Sequence, residues 1–317
     1  MTSKKKKISL IIPAYNESPN LASLLEKISK EVADLNFDFE FIVVDDGSTD
    51  DSKATLNKLR EKYPNLVSLF LSRNFGKEMA TTAGINNCTS DACILIDADH
   101  QHPPKYIPEF IKKWEDGADV VVGVRKNNSG EGLIKKFGSK LFYSIINKMT
   151  DSLMIPNSTD YRLLDKAVIE EFRKMNEHNR ITRGLIDWMG FERKYVYFEA
   201  DRRNGGSAGY SLKKLFGLAI NSFVSLSLFP LKIAGYLGIA ITLLSGGLGF
   251  AVLVSKYLIK NPWGLSITGT ASLALIIMFL IGIVLICLGL IGLYIANIHQ
   301  EVTGRPLYII KKERLHE

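Results

Sequence analysis

The sequence predicts an α/β domain built on a mostly parallel β-sheet, followed by a C-terminal hairpin of two membrane-spanning helices. Three observations carry this expectation. Through residues 1–200 short β-rich runs alternate with amphipathic stretches, the order that lays helices over both faces of a parallel sheet. Residues 233–255 and 261–298 form runs of 23 and 38 residues without a charge, each long enough to cross a hydrocarbon core of ~30 Å at ~1.5 Å per residue. Finally, +6 of the +7 net charge lies beyond residue 210, where nine Lys and Arg accompany three Glu.

The first strand, 8–12, ends at Pro13, and a helix follows at 20–33 with Ser18 placed as its N-cap. Strand 39–44 leads into Asp45-Asp46, and residues 48–50 are placed to cap a helix over 51–63. The alternation continues through strand 66–71, helix 77–86, strand 92–96, helix 104–114 and strand 120–124, with a last strand at 195–198. Residues 1–210 form this domain, and in such sheets ligands bind beyond the carboxyl ends of the strands. Residues 211–231 are apolar but keep Lys213 and Lys214, as suits a segment lying in the membrane interface.

Two spans then fill 232–300, joined by a short external loop containing Asn261-Pro262-Trp263-Gly264, and 301–317 is the tail. Lysines and arginines flanking the hairpin ends outnumber the two lysines of the connector, so an integral membrane protein with its first domain and both termini cytoplasmic is expected. The lysines before residue 8 imitate a signal peptide, but an apolar run of 8–12 falls short of the roughly 7–15 residues a secretory signal needs. Cys88, Cys93 and Cys287 form no CxxC pair and read as packing residues. Charge that flanks uncharged runs argues for a membrane surface and against nucleic acid.

Acidic residues stand just past two strands, Asp45-Asp46 after the second and Asp97-Ala98-Asp99 after the fourth. Carboxylates clustered at a ligand-binding edge call for a cation or a donor-rich ligand. Asp-x-Asp spacing suits Mg²⁺ or Mn²⁺, which takes diphosphate oxygens as remaining ligands. His100 and His102 flank this pair and read either as an HxH metal site or as residues that shape the loop.

The segments 11–17 (IIPAYNE), 43–50 (VVDDGSTD) and 97–104 (DADHQHPP), in that order and spacing, resemble glycosyltransferase family 2 with its GT-A fold. The chain is similar in particular to the polyprenyl-phosphate sugar synthases, dolichyl-phosphate mannose synthases and bactoprenol glucosyltransferases among them. Residues 72–77, 123–125, 159–165 and 203–206, the two spans and the 303–306 tail extend the likeness along the chain. The resemblance implies that Pro13, Tyr15, Glu17 and Asp45, with Asp46 beside it, hold the nucleoside. It implies that Asp97, Asp99 and Gln101 hold the metal and diphosphate, with Arg73 and Lys77 facing the diphosphate or lying on a solvated surface. On the acceptor side stand Arg125, Asp160, Arg162 and Arg203, with Arg125 and Arg203 candidates for a lipid phosphate. Asp160 falls where family members carry a catalytic base; it either accepts a proton or orients a cation such as Arg162.

The implied activity is inverting transfer of one sugar to a polyprenyl phosphate, with UDP-glucose the first donor expected, GlcNAc and mannose as alternatives, and a homo-oligomer as the assembly. Many relatives read Arg-x-x-Gly-x-Ser-x-Tyr where this chain has Ala208 in place of the serine. The Gln-x-x-Arg-Trp of processive synthases is absent, which argues for single transfer. A dinucleotide oxidoreductase would want GxGxxG after the first strand, and a transport subunit would want ionisable residues within its spans; neither is present. A catalytically inactive sugar-nucleotide scaffold is the remaining alternative.

Overall fold

The computed structural model describes residues 5–126, 157–178, 180–199 and 269–311. Among these, seven strands form one sheet in the order β3-β2-β1-β4-β6-β5-β7. They are β1 Lys7–Ala14, β2 Asp38–Asp45, β3 Leu66–Phe70, β4 Ala92–Leu95, β5 Val120–Arg125, β6 Ser158–Asp165 and β7 Arg193–Phe198. β1 pairs in parallel with β2 and β4, β2 with β3, and β5 with β7, so the sheet is mostly parallel. β6 runs antiparallel to both β4 and β5.

Helices α1 Ser18–Val32, α2 Ser52–Lys62, α3 Lys77–Asn87, α4 Ile107–Glu115, α5 Lys166–Lys174 and α6 Thr182–Trp188 cover this sheet. Its central strands are apolar on both sides because both faces are covered. Ile8, Leu10 and Ile12 of β1 join α1, α2 and α4 in one core, whereas Ile11 joins α3, α5 and α6 in the other. α1 turns Leu21, Leu24, Leu25, Ile28 and Val32 inward, the stripe of a 3.6-residue period. α3 instead buries small residues, and a Cβ added at Gly84 would lie 2.3 Å from Ile11 Cγ2, so glycine sets how closely α3 rests on β1.

Three elements, β6, α5 and α6, have no counterpart among the sequence-predicted ones. Helix entry also differs from expectation: Ser18 is the first residue of α1 rather than its cap, and Asp50 serves two helices at once. Its Oδ2 accepts from Ser18 N at 3.2 Å and its Oδ1 from Ser52 N at 3.0 Å.

Contacts divide the chain into Met1–Ala208 with Arg305–Glu317 as one unit and Gly209–Gly304 as the other. The tail therefore packs with the first domain. Leu71 bridges Ile310, Ser72 N donates to Ile309 O at 2.8 Å and Lys311 N to Phe70 O at 2.7 Å, which pairs the outer edge of β3. In the second unit α7 spans Gly269–Val302, 34 residues and about 51 Å of helix. Over the residues whose side chains are described, no helix is long and apolar enough to cross a membrane. The case for a bilayer hairpin thus rests on sequence; the interfacial segment 211–231, the first span, the connector and Arg203 lie outside the described residues.

Candidate active site

The site lies where β1, β2 and β4 end. Because β6 is antiparallel to β4, pairing Leu95 with Arg162, its first residues reach that same edge and bring Asp160 with them. The loops after β1 and β2 are tied by Asn16, whose N donates to Ser48 Oγ at 2.9 Å and whose Oδ1 accepts from Thr49 N at 2.8 Å. Asn16 holds a φ of 56°, a left-handed conformation that asparagine tolerates better than most residues.

Ala14 pairs in register with Asp45, which gathers Pro13, Tyr15, Glu17 and Asp45 around these two loops. Tyr15 is exposed, and Glu17 Oε2 accepts from Asn20 Nδ2 at 2.6 Å. Asp45 is buried, Ser48 N reaches its Oδ2 at 3.4 Å, and its Oδ1 has no partner among the described residues. Burial pushes this carboxyl above the ordinary carboxylate range. An unmatched buried acceptor costs about 1–3 kcal/mol, so the position suits an N–H or O–H brought by a ligand. Asp46 is used differently, because its two oxygens accept from Phe75 N at 2.7 Å and Gly76 N at 2.8 Å and so anchor the loop that leads to Lys77. Between the two loops Gly47 has a φ of 68°, and a Cβ there would lie 2.4 Å from the Arg73 carbonyl carbon. Arg73 is turned onto its own loop, its guanidinium 4.0 Å above the Phe75 ring and bonded to Asn74 O at 2.9 Å.

The centre of the site is Lys77. Its Nζ stands 2.7 Å from Asp97 and 2.8 Å from Asp160, joining the loop after β4 to the start of β6. Burial works to lower the ammonium's pKa, but the two carboxylates outweigh it and hold it raised. For Asp160 burial works upward, while Lys77 first, then Arg183 and Arg162, hold the carboxyl below its ordinary value. Asp160 is paired with Lys77 and not with Arg162. Fully buried Arg162 bonds Asp187 at 2.7 and 3.2 Å and Thr159 O at 3.1 Å.

Asp99 Oδ1 accepts from Gln101 N at 3.1 Å and its Oδ2 from Gln101 Nε2 at 2.7 Å, while Gln101 Oε1 accepts from Arg125 Nη2 at 2.8 Å. Among the described residues no group of three His, Cys, Asp or Glu is drawn together. The donor chemistry nonetheless fits Mg²⁺ or Mn²⁺: Asp97, Asp99 and Gln101 offer hard oxygens on one loop, and the Lys77 ammonium already neutralises Asp97 as a cation would. His100 Nε2 bonds Ser23 Oγ at 2.9 Å; His102, stacked on Tyr161, accepts from Asp97 N at 3.1 Å, and burial chiefly holds its pKa below the ordinary imidazole value. Both shape the loop.

Sequence reasoning passes over Asn16, Thr182 and Arg183. Asn16 sits inside a family-like segment without a role that the segment itself reveals, and the two α6 residues carry no motif at all.

The Glycosyl transferase family 2 profile matches residues 9–173. An uncharacterized glycosyltransferase of Synechocystis is 38% identical, aligning 96% of this chain with 94% of that protein. The SfII prophage-derived bactoprenol glucosyl transferase of Shigella flexneri is 34% identical, aligning 96% of this chain with 98% of its own. Among solved structures, glucosyl-3-phosphoglycerate synthase from Mycobacterium tuberculosis, in complex with Mn²⁺ and UDP-glucose, is 18% identical with a TM-score of 0.47, covering 70% of this chain and 78% of its own.

Proposed function

This chain belongs to glycosyl transferase family 2 and is a glycosyltransferase with a GT-A-like α/β fold; on that premise we propose that it transfers one sugar, with inversion, from a nucleotide diphosphate donor to a polyprenyl phosphate at the membrane. UDP-glucose is the first donor proposed. The observation that carries the reading is the convergence of Asp45, Asp97 and Asp160 at one sheet edge, with Lys77 bridging the last two at 2.7 and 2.8 Å.

In this reading Pro13, Tyr15 and Glu17 frame the nucleoside and the unpartnered Asp45 Oδ1 accepts from it. Asp97, Asp99 and Gln101 would hold Mg²⁺ or Mn²⁺, whose chemistry is to neutralise charge on the leaving diphosphate. Lys77 adds a second positive charge beside it. The acceptor phosphate oxygen attacks the anomeric carbon from the face opposite the nucleotide. A phosphate monoester is largely dianionic near neutral pH, its second pKa being about 6, so Asp160 has little proton to remove and serves to hold Lys77. Arg125, beside Gln101, and Arg203 are proposed partners of the lipid phosphate.

The full-length likeness to the bactoprenol glucosyl transferase supports the lipid acceptor and a membrane location. The uncharged run over most of α7 supports an anchor, as does the exposure of Leu273, Ile277, Ile281, Val284 and Leu288 along it. Anchoring in the bilayer would keep the headgroup near the site, which is the proximity part of catalysis. A homo-oligomer and cytoplasmic termini complete the proposal. The test is a donor screen with purified protein and a short polyprenyl phosphate, read as acceptor-dependent release of UDP or GDP. Release from UDP-glucose is expected, and no acceptor-dependent release from any common donor refutes it.

A further inference from the structure

Beside the Lys77 bridge a cleft is lined by Lys77, Glu78, Asp160 and Arg162 and by Thr182 and Arg183 of α6. Two of its charged pairs are internally satisfied, Lys77 with Asp160 and Arg162 with Asp187. Arg183 is different: it is exposed, and although its charge helps to hold the Asp160 carboxyl down, no carboxylate among the described residues is bonded to its guanidinium. Next to it Thr182 is 4% exposed, and its Oγ1 is buried without a hydrogen-bond partner among the described residues. Its backbone N is already taken by Glu78 Oε2 at 2.8 Å, so the hydroxyl alone is left for a ligand.

We propose that this cleft seats the phosphate monoester of the acceptor, with the Arg183 guanidinium and the Thr182 hydroxyl as its donors. A guanidinium beside a hydroxyl suits a dianionic phosphate. The cleft is lined by Asp160 and by neither Asp97 nor Asp45, so a phosphate held here lies at the Asp160 end of the Lys77 bridge, apart from the nucleoside residues around Asp45. Arg183 is the specificity-determining cation that no sequence motif marks, acting alongside Arg125. The inference rests on the proposed acceptor being a lipid phosphate.

The test compares full-length wild type, Arg183→Gln, Arg183→Lys and Thr182→Val in detergent, titrating a short polyprenyl phosphate and, separately, UDP by calorimetry, with turnover measured in parallel. Arg183→Gln is expected to weaken acceptor binding by about 10- to 100-fold, the loss of a charge-assisted contact, with Arg183→Lys recovering part. Thr182→Val is expected to weaken it by roughly 3- to 10-fold without lowering Tm, because the hydroxyl has no protein partner to lose. UDP affinity stays within about twofold in all three, taking a polar contact of under 0.5 kcal/mol as negligible. Unchanged acceptor affinity, or loss of UDP affinity in place of acceptor affinity, overturns the inference; the latter would assign the cleft to the donor diphosphate. If wild type binds the lipid phosphate through Arg183 yet transfers no sugar, the cleft stands and the proposed function falls.

Discussion

Replacing Lys77 with methionine removes the ammonium that stands 2.7 Å from Asp97 and 2.8 Å from Asp160. The side chain is 44% exposed, so the cost in folding stability is small, about 1 kcal/mol or less. The effect on a divalent ion is larger and of opposite sign. Two unit charges about 4 Å apart interact by about 1 kcal/mol in water and about 4 kcal/mol near a protein surface. The lower part of that range suits an open sheet edge, and about 1.4 kcal/mol is a tenfold change in affinity. Lys77→Met is therefore expected to bind Mn²⁺ about tenfold more tightly than wild type, because Asp97 no longer carries a resident cation. Turnover should fall by about 100-fold, the loss of a charge-assisted contact to the diphosphate. Titration of free Mn²⁺ by electron paramagnetic resonance measures the first effect without substrate. Unchanged or weaker Mn²⁺ binding refutes the reasoning that Lys77 competes with the ion for Asp97.

Asp160→Asn should lose activity by a similar factor at pH 6 and pH 8, read as the mutant to wild-type ratio of kcat/KM. The carboxyl is held below its ordinary value, so its contribution is present above an unfolded pKa of about 4 and lost only as pH falls through the lower folded value; strong recovery at pH 8 would instead make it a base. Asp187→Ala leaves the fully buried Arg162 without its carboxylate and should cost about 3–5 kcal/mol, seen as a large drop in Tm; a stable variant would show that the Thr159 and Arg183 carbonyls or water suffice. Gly47→Ala forces a Cβ against the Arg73 backbone at a φ of 68° and should cost about 1–3 kcal/mol together with UDP affinity, whereas Gly117→Ala, with nothing near its Cβ, should leave UDP affinity alone.

What the sequence made legible is the parallel half of the sheet. β1, β2 and β4 are apolar runs; β1 continues through Pro13 to Ala14, one residue beyond the proline expected to stop it, β2 ends on Asp45 and β4 ends two residues before Asp97, so the residues that close these strands also supply the site. β6 was hidden because Thr159-Asp160-Tyr161-Arg162 alternates charge with aromatic and looks unlike a core strand; Arg162 enters the core only because Asp187, on another element, neutralises it. The separate motifs were visible, but the bridge from Lys77 to Asp97 and Asp160 joins three segments far apart in sequence, and only the sheet order brings them together. Asp46 shows the reverse limit: its neighbour Asp45 is left open to a ligand, while Asp46 is consumed by backbone amides that no one-dimensional pattern announces. The paired tail at 308–311 likewise depends on an edge of β3 that is exposed only once the sheet is ordered.

The most direct measurement of the central claim is the product itself. Incubation of the purified chain with UDP-glucose, Mg²⁺ and a short polyprenyl phosphate, followed by mass spectrometry and proton NMR of the lipid, should give polyprenyl phosphate carrying a single hexose with the anomeric configuration opposite to that of the donor. A lipid bearing a chain of sugars, a product that retains the donor's configuration, or UDP released with no sugar on the lipid would contradict it.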